Sequence, residues 1–300
     1  MVQLMSRRLD INQGDATMAL NNRVDQWFET KFESDIKHKF QQMSSMLMNR
    51  VFTVRDVEAQ TVSFPILDKG TVTKNKPSHA DQDPETEGHS SETVTLDDYT
   101  TGRYVGKLDV RKFTGAVYDK YVENMAGTAG REMDDIILTA VDAGTTSGNS
   151  NIDETSGGLT YSKLSTGVKN FHKTGAFSVP GSKTLVVDEE GWEDLVAISE
   201  FKSSDFVSYR VAEQGTVPMI MGFEVSVVVP DVIPNRDVST APSFAYLIHE
   251  NALALAVASD VSTEINYVGQ KFSDFVGMSF SAGAKNILPN GTFRIDVGQS

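Results

Sequence analysis

The sequence predicts a mixed α+β chain in which two long helices bracket an extended polar excursion and an α/β unit follows. Three observations carry this. Apolar residues recur at helical spacing over Val24 to Leu47 and again over Phe113 to Asp142. Strand-like alternation at Glu58 to Leu67 resumes at Thr93 to Val110, on either side of an almost wholly polar stretch. A strand, helix, strand order, LVVD, EEGWEDLVAI, FEVSVVV, begins at Leu185.

Composition narrows the function classes. The chain has 300 residues, enough for a substantial core without cross-links. It has no cysteine, which excludes disulfides, thiolate nucleophiles and Cys-ligated metals and suits a reducing cytoplasm. A net charge of −14 repels nucleic-acid backbones and anionic lipid, so sequence-specific DNA reading is not expected. The opening MVQLMSRRLDINQG has two arginines with no apolar block behind them, unlike a signal peptide or membrane anchor.

The first element is an amphipathic helix with Val24, Trp27, Phe28, Phe32, Ile36, Phe40, Met43 and Leu47 on one face and Glu29, Lys31, Glu33, Lys37 and Lys39 on the other. That aromatic stripe needs a surface to cover, in its own chain or in a neighbour. In EAQTVSFPIL, Val62, Phe64 and Ile66 alternate with Thr61, Ser63 and Pro65, and the proline marks an edge or a strand end. Residues 68–92 contain one large apolar residue, Val72, and cannot cover a core. The whole of 57–110 therefore reads as a long two-stranded arm with a solvated tip, an excursion long enough to be functional.

The second long helix spans Phe113 to Asp142, with Thr114 as N-cap and Gly144 as stop; Gly127 and Gly130 inside it mark a bend or a close contact. Gly144 to Gly158 reads as a surface loop, and a shorter helix covers Tyr161 to His172. After the α/β unit, Phe244 to Ile248 and Ala252 to Ala258 flank His249-Glu250-Asn251 as a hairpin with a polar turn, apolar on both faces and so central in a covered sheet. This greasiest stretch is too short and too interrupted to span a bilayer, which takes about 20 apolar residues.

Chemistry has few footholds. His249-Glu250 starts a zinc-protease motif, but the second histidine is replaced by Leu253, so one helix face cannot present two ring nitrogens to a metal. Asp81, Asp83, Glu85, Glu87, His89 and Glu92 sit at the ligand offsets of a calcium loop. Thr86 stands where such a loop needs glycine and Pro84 interrupts it, leaving a solvated acidic tip or a weak cation site of another kind. No nucleophile elbow, phosphate loop or dinucleotide fingerprint is present, and no catalytic residue or cofactor is assigned.

This order of elements resembles the major capsid proteins of tailed bacteriophages, the fold named after the coliphage HK ninety-seven. The resemblance is sharpest in QGTVPMIMGFEVSVVVPDVIP, through Gly215, Gly222, Phe223, Val225, Pro230 and Pro234, and extends to Gly277, Gly283 and Pro289 near the C-terminus. It implies an α+β phage capsid fold: an N-arm over 1–50, an extended β-hairpin E-loop over 51–112 and a peripheral domain with a long spine helix over 113–180. An α/β axial domain follows over 181–258, then return strands of the peripheral domain over 259–282 and a C-terminal axial strand over 283–300.

The resemblance also implies a structural protein of the virion, assembled in the host cytoplasm into hexamers and pentamers of an icosahedral shell around double-stranded DNA. It implies inter-subunit packing by Trp27, Phe28, Phe32, Phe40, Val62 and Phe64 and by the acidic tip at Asp81, Asp83, Glu85 and Glu87. Partners would be other copies of the chain, a separate scaffolding protein, a portal and a decoration protein, with no membrane. A lysine–asparagine cross-link of some members maps to no position here. A tail or adhesin component, and a soluble enzyme of another type, stay open as alternatives.

Overall fold

In the computed structural model, which describes residues 41–72, 87–110, 117–145, 151–152, 157–198, 219–234 and 243–297, three sheets form. In chain order the elements are β1 (Phe52–Val54), β2 (Thr61–Leu67), β3 (His89–Thr95), β4 (Asp97–Gly106), a one-turn helix α1 (Lys107–Val110) and the 29-residue helix α2 (Val117–Thr145). Next come β5 (Asn151–Ile152), α3 (Tyr161–Thr174), β6 (Lys183–Val187), α4 (Glu189–Ala197), β7 (Met219–Ile220) and β8 (Phe223–Val227). The chain ends with β9 (Ser243–His249), β10 (Leu253–Val268), β11 (Ser273–Asn286) and β12 (Thr292–Val297). One sheet has the order β1-β10-β11-β4, a second β5-β12-β9-β6-β8-β7, and β2 and β3 pair alone.

Helix α2 forms as its spacing predicts from Val117 onward, and the expected start at Phe113 with its cap Thr114 lies outside the described residues. Met125, Ala129, Met133, Ile137 and Val141, each four residues on, make one buried stripe. They share a core with Val276, Met278, Phe280 and Ala282, alternate residues of β11. Full burial of each large side chain contributes about 1.5–3 kcal/mol. The helix runs to Thr145, one residue past the expected stop at Gly144. Gly127 and Gly130 mark a close contact: a Cβ on Gly130 would lie 2.7 Å from the Ser45 nitrogen, and one on Gly127 3.3 Å from the Gln42 carbonyl oxygen.

The six-stranded sheet holds the predicted α/β unit, with β6 and β8 parallel and α4 between them in the chain. Asp188 caps α4 by accepting from the Gly191 nitrogen at 2.7 Å, while Thr160 and left-handed Gly175 close the two ends of α3. Leu185, Val187, Ala245 and Leu247 pack on one side with Leu164, Phe171 and Leu195, while Val186, Tyr246 and Ile248 face the core that contains α2. The sheet is therefore covered on both faces, as its two-sided apolar strands require. β7 and β8 turn on Met221 and Gly222, both with positive φ (49° and 87°), the backbone a two-residue type I′ hairpin demands.

Three expectations are corrected. The segments around His249-Glu250-Asn251 do not form a hairpin: β9 pairs with β12 and β6, whereas β10 pairs with β1 and β11. The triplet is the corner where the chain passes from one sheet to the other, and neither strand's apolar pattern says which sheet it will join. The two-stranded arm is shorter than 57–110, because β4 leaves β3 and pairs along its length with β11. Finally, residues 41–47 are not helical, because backbone N–H groups there are drawn to a carboxylate of α2; the rest of the expected first helix lies outside the described residues.

Gly130→Ala should lower unfolding free energy by about 1–3 kcal/mol despite the better helix propensity of alanine, since the added methyl meets backbone. Denaturant unfolding beside Gly127→Ala, where the approach is looser and the loss smaller, checks this.

Candidate assembly interfaces

The N-terminal segment is clasped where it reaches the body. Asp134 of α2 is fully buried and accepts from Gln42 Nε2 and Ser45 Oγ, each at 2.5 Å, from Met46 N at 2.9 Å and from Leu47 N at 3.1 Å. A buried carboxylate is tolerated when its lone pairs are filled in this way. Arg131 adds a bond from its guanidinium to the Gln42 carbonyl at 2.7 Å. Leu47 then buries its side chain and Arg50 pairs with Glu224 of β8, so the strap touches both sheets. Sequence reasoning missed Asp134. The available signal was its place on the same helix face as Gly127 and Gly130, two bare positions followed by an acid.

The hairpin β2–β3 forms the arm. Val62, Phe64 and Ile66 are half-buried while their neighbours in β2 are exposed, the expected alternation. Val62 and Phe64 pack with Val94, Leu96, Ala254 and Ala256, and the Phe64 ring meets Phe52 edge-on at 6.2 Å. Beyond this root the arm has little core. Leu67 is exposed and Val72 is 97% exposed. Glu87 lies exposed near the tip, against Gly70. Asp81, Asp83, Glu85, Trp27, Phe28, Phe32, Phe40 and Gly215 lie outside the described residues.

A third surface is the far half of the β10–β11 hairpin. Residues 259–267 of β10 are all exposed, and because β1 pairs with Ala254 to Ala256, one edge of this half has no strand partner among the described residues. On the face turned from α2, Tyr104, Phe275 and Asn266 form one rank and Gly102, Gly277 and Glu264 the next. The Phe275 ring lies over both glycines, and it helps line an open trough of about 240 Å³ together with Gly102, Gly277, Glu264 and Asn266. Lys107 and Lys271 sit 3.7 and 3.6 Å over the rings of Tyr267 and Tyr104.

The other fold-motif residues occupy structural positions. Phe223 is buried and meets Phe171 edge-on at 5.0 Å, and Val225 packs beside it. Pro230 and Pro289 each open a single 3₁₀ turn, and Pro234 follows the first of these. Gly283 is where the arm's root crosses the sheet: a Cβ there would lie 2.0 Å from the Thr95 carbonyl oxygen.

The last turn of α2 is tied to the six-stranded sheet. Asp142 accepts from Tyr246 Oη at 3.2 Å and from Arg294 at 3.0 Å, and Arg294 also reaches Asp296 at 3.1 Å. Burial first, and the Asp142 carboxylate second, push the Tyr246 hydroxyl far above the ordinary tyrosine range. Among the described residues, no group of three or more His, Asp or Glu is placed to hold a metal ion, and no helix is long and apolar enough to cross a membrane.

Comparison with known proteins agrees with this architecture. The phage capsid protein family model matches residues 24–298. Among solved structures, a chain of Mycobacterium phage Che8 is 17% identical with a TM-score of 0.66, covering 88% of this chain and 95% of that one. The capsid structure of cyanophage P-SCSP1u gives 15% identity, TM-score 0.70 and coverage of 92% and 95%. The mature capsid of bacteriophage PhiM1 gives 13%, 0.67, 88% and 90%. No curated protein sequence matches. The chain belongs to the phage capsid protein family, its fold is that of phage major capsid proteins, and it is a structural protein of the phage head.

Asp134→Asn should remove the charge from four hydrogen bonds and cost about 1.5–3 kcal/mol, released first as faster proteolysis within 41–47. For Tyr246 the sign is fixed by its raised folded-state pKa. Its contribution is complete below about pH 10, where unfolded tyrosine is neutral, and is lost as pH rises beyond. Tyr246→Phe should therefore cost about 0.5–1.5 kcal/mol at pH 8 and flatten the fall in stability between pH 10 and 11, read by urea unfolding at each pH.

Proposed function

We propose that copies of this chain join as hexamers and pentamers into a closed icosahedral shell around double-stranded DNA. The observation that carries this is the β2–β3 arm. A two-stranded hairpin is marginal alone, and this one is packed at its root but extends exposed Leu67 and Val72 past it. Such an arm gains order against a neighbouring copy. Each contact made after the first is effectively intramolecular, so many modest contacts sum to a stable shell.

On this reading 1–50 is the N-arm, held by the Asp134 clasp, with the aromatic stripe of Trp27, Phe28, Phe32 and Phe40 buried beneath the spine helix or a neighbour's arm. Residues 51–112 act as the E-loop, 113–180 and 259–282 as the peripheral domain, and 181–258 with 283–300 as the axial domain. Val62 and Phe64, half-buried at the arm's root, and the acidic tip at Asp81, Asp83, Glu85 and Glu87 meet another subunit. The net charge of −14 suits a container that holds DNA without gripping it. The role is structural rather than enzymatic. A scaffolding protein, a portal and a decoration protein are its partners besides further copies, and assembly takes place in the host cytoplasm before the chain resides in the virion.

Negative-stain microscopy of the expressed chain, with and without scaffold, should reveal closed shells; a small, concentration-independent particle would defeat the proposal. Charge reversal at Glu29, Glu33 or Glu87 should cut shell yield several-fold or change shell size while leaving the melting temperature unaltered. Normal shells from all three would count against those assignments.

A further inference from the structure

The corner between the two sheets contains a buried histidine whose proton is fixed by its partners. His249, the last residue of β9, is 3% exposed. Its Nδ1 accepts from the Asn251 backbone nitrogen at 3.1 Å, so Nδ1 carries no proton. Its Nε2 lies 3.2 Å from the Val179 carbonyl, an acceptor, so Nε2 carries the proton and donates. Both nitrogens are used, and only the neutral ring in this tautomer satisfies both bonds.

Those bonds hold a crowded joint. Glu250 N donates to the Ser182 carbonyl at 3.0 Å, and Ser182 N returns a bond to Glu250 Oε2 at 2.9 Å. Gly181, at φ 141°, lets the loop close onto the ring, since a Cβ there would lie 2.9 Å from His249 Cε1. The other strand connection between the two sheets passes alongside, with Ile287 N and Leu288 N donating to the Ala252 carbonyl at 2.9 and 3.1 Å and Gly291 against Ala252. Two chain crossings and the 179–182 loop therefore meet around one imidazole.

We infer that His249 is an acid-sensitive latch: protonation at Nδ1 sets an N–H against the Asn251 N–H, breaks that bond and frees the turn that joins the two sheets. The charged groups facing it are few. Glu250 lies on the same turn with its Oε2 held by Ser182 N and Oγ, and Lys183 stands opposite on β6 with its ammonium 5.1 Å over the Phe177 ring. The 179–182 loop and the turn Pro289–Gly291 bring no charge. An imidazolium here thus meets one carboxylate, already drawn to Ser182 through Oε2, and one cation, and its new N–H faces the Asn251 N–H rather than an acceptor. The latch lies within a single chain and does not depend on the shell proposal.

Hydrogen exchange read by mass spectrometry on the peptide 249–256, at about pH 7.5 and about pH 5, tests this in the full-length chain. After correction for intrinsic exchange rates, wild type should exchange about tenfold faster at the lower pH, the loss of one buried hydrogen bond. His249→Gln should show no such change, and Glu250→Gln should keep it. Equal corrected rates in wild type, persistence of the change in His249→Gln, or its disappearance in Glu250→Gln would each overturn the inference. The wild-type and Glu250→Gln arms decide it even where His249→Gln does not fold.

Discussion

Everything in this fold is referred to one rod. Helix α2, 29 residues long and so about 44 Å, lays its i, i+4 stripe along β11 and ends in a hydrogen-bonded tie to Tyr246 and Arg294 of the six-stranded sheet. A single element that packs by apolar contact on both sheets and is tied to one of them by a satisfied polar knot as well fixes their relative placement. Apolar packing tolerates sliding, whereas a knot of directed bonds does not, so the end at Asp142 sets the register of the whole.

Much of this was legible in the sequence, and the physical reason is periodicity. The stripe of α2, the alternation of β2, the short helix α3 and the β6–α4–β8 unit are local patterns that each segment expresses by itself. What was not legible is pairing. Strand β4 alternates equally well beside β3 or beside β11, and β9 and β10 read as neighbours because both are apolar throughout. Register and partner are settled by the shape of the core, which no single window of sequence contains.

The candidate interfaces divide along the same line. Val62 and Phe64 announced themselves by alternation, but the Asp134 clasp depends on groups 87 or more residues away along the chain. Its energetics also differ from those of the apolar seams. A buried carboxylate adds little over an apolar substitute in stability, yet it accepts only donors in specific places. The clasp therefore selects one path for the strap rather than simply holding it down. Gly127 and Gly130 complete that selection by leaving room for backbone alone.

The crossing at Gly283 carries its own consequence. There the arm's root rests on the sheet with no side chain between the two backbones, and Leu96 N is bonded back to Gln60 at 3.0 Å. A cantilever with so stiff a mounting cannot swivel at its base. In the proposed shell, whatever curvature different positions ask of the arm would have to be absorbed farther out, past the last apolar seam, which would separate the point that bears load from the point that adapts.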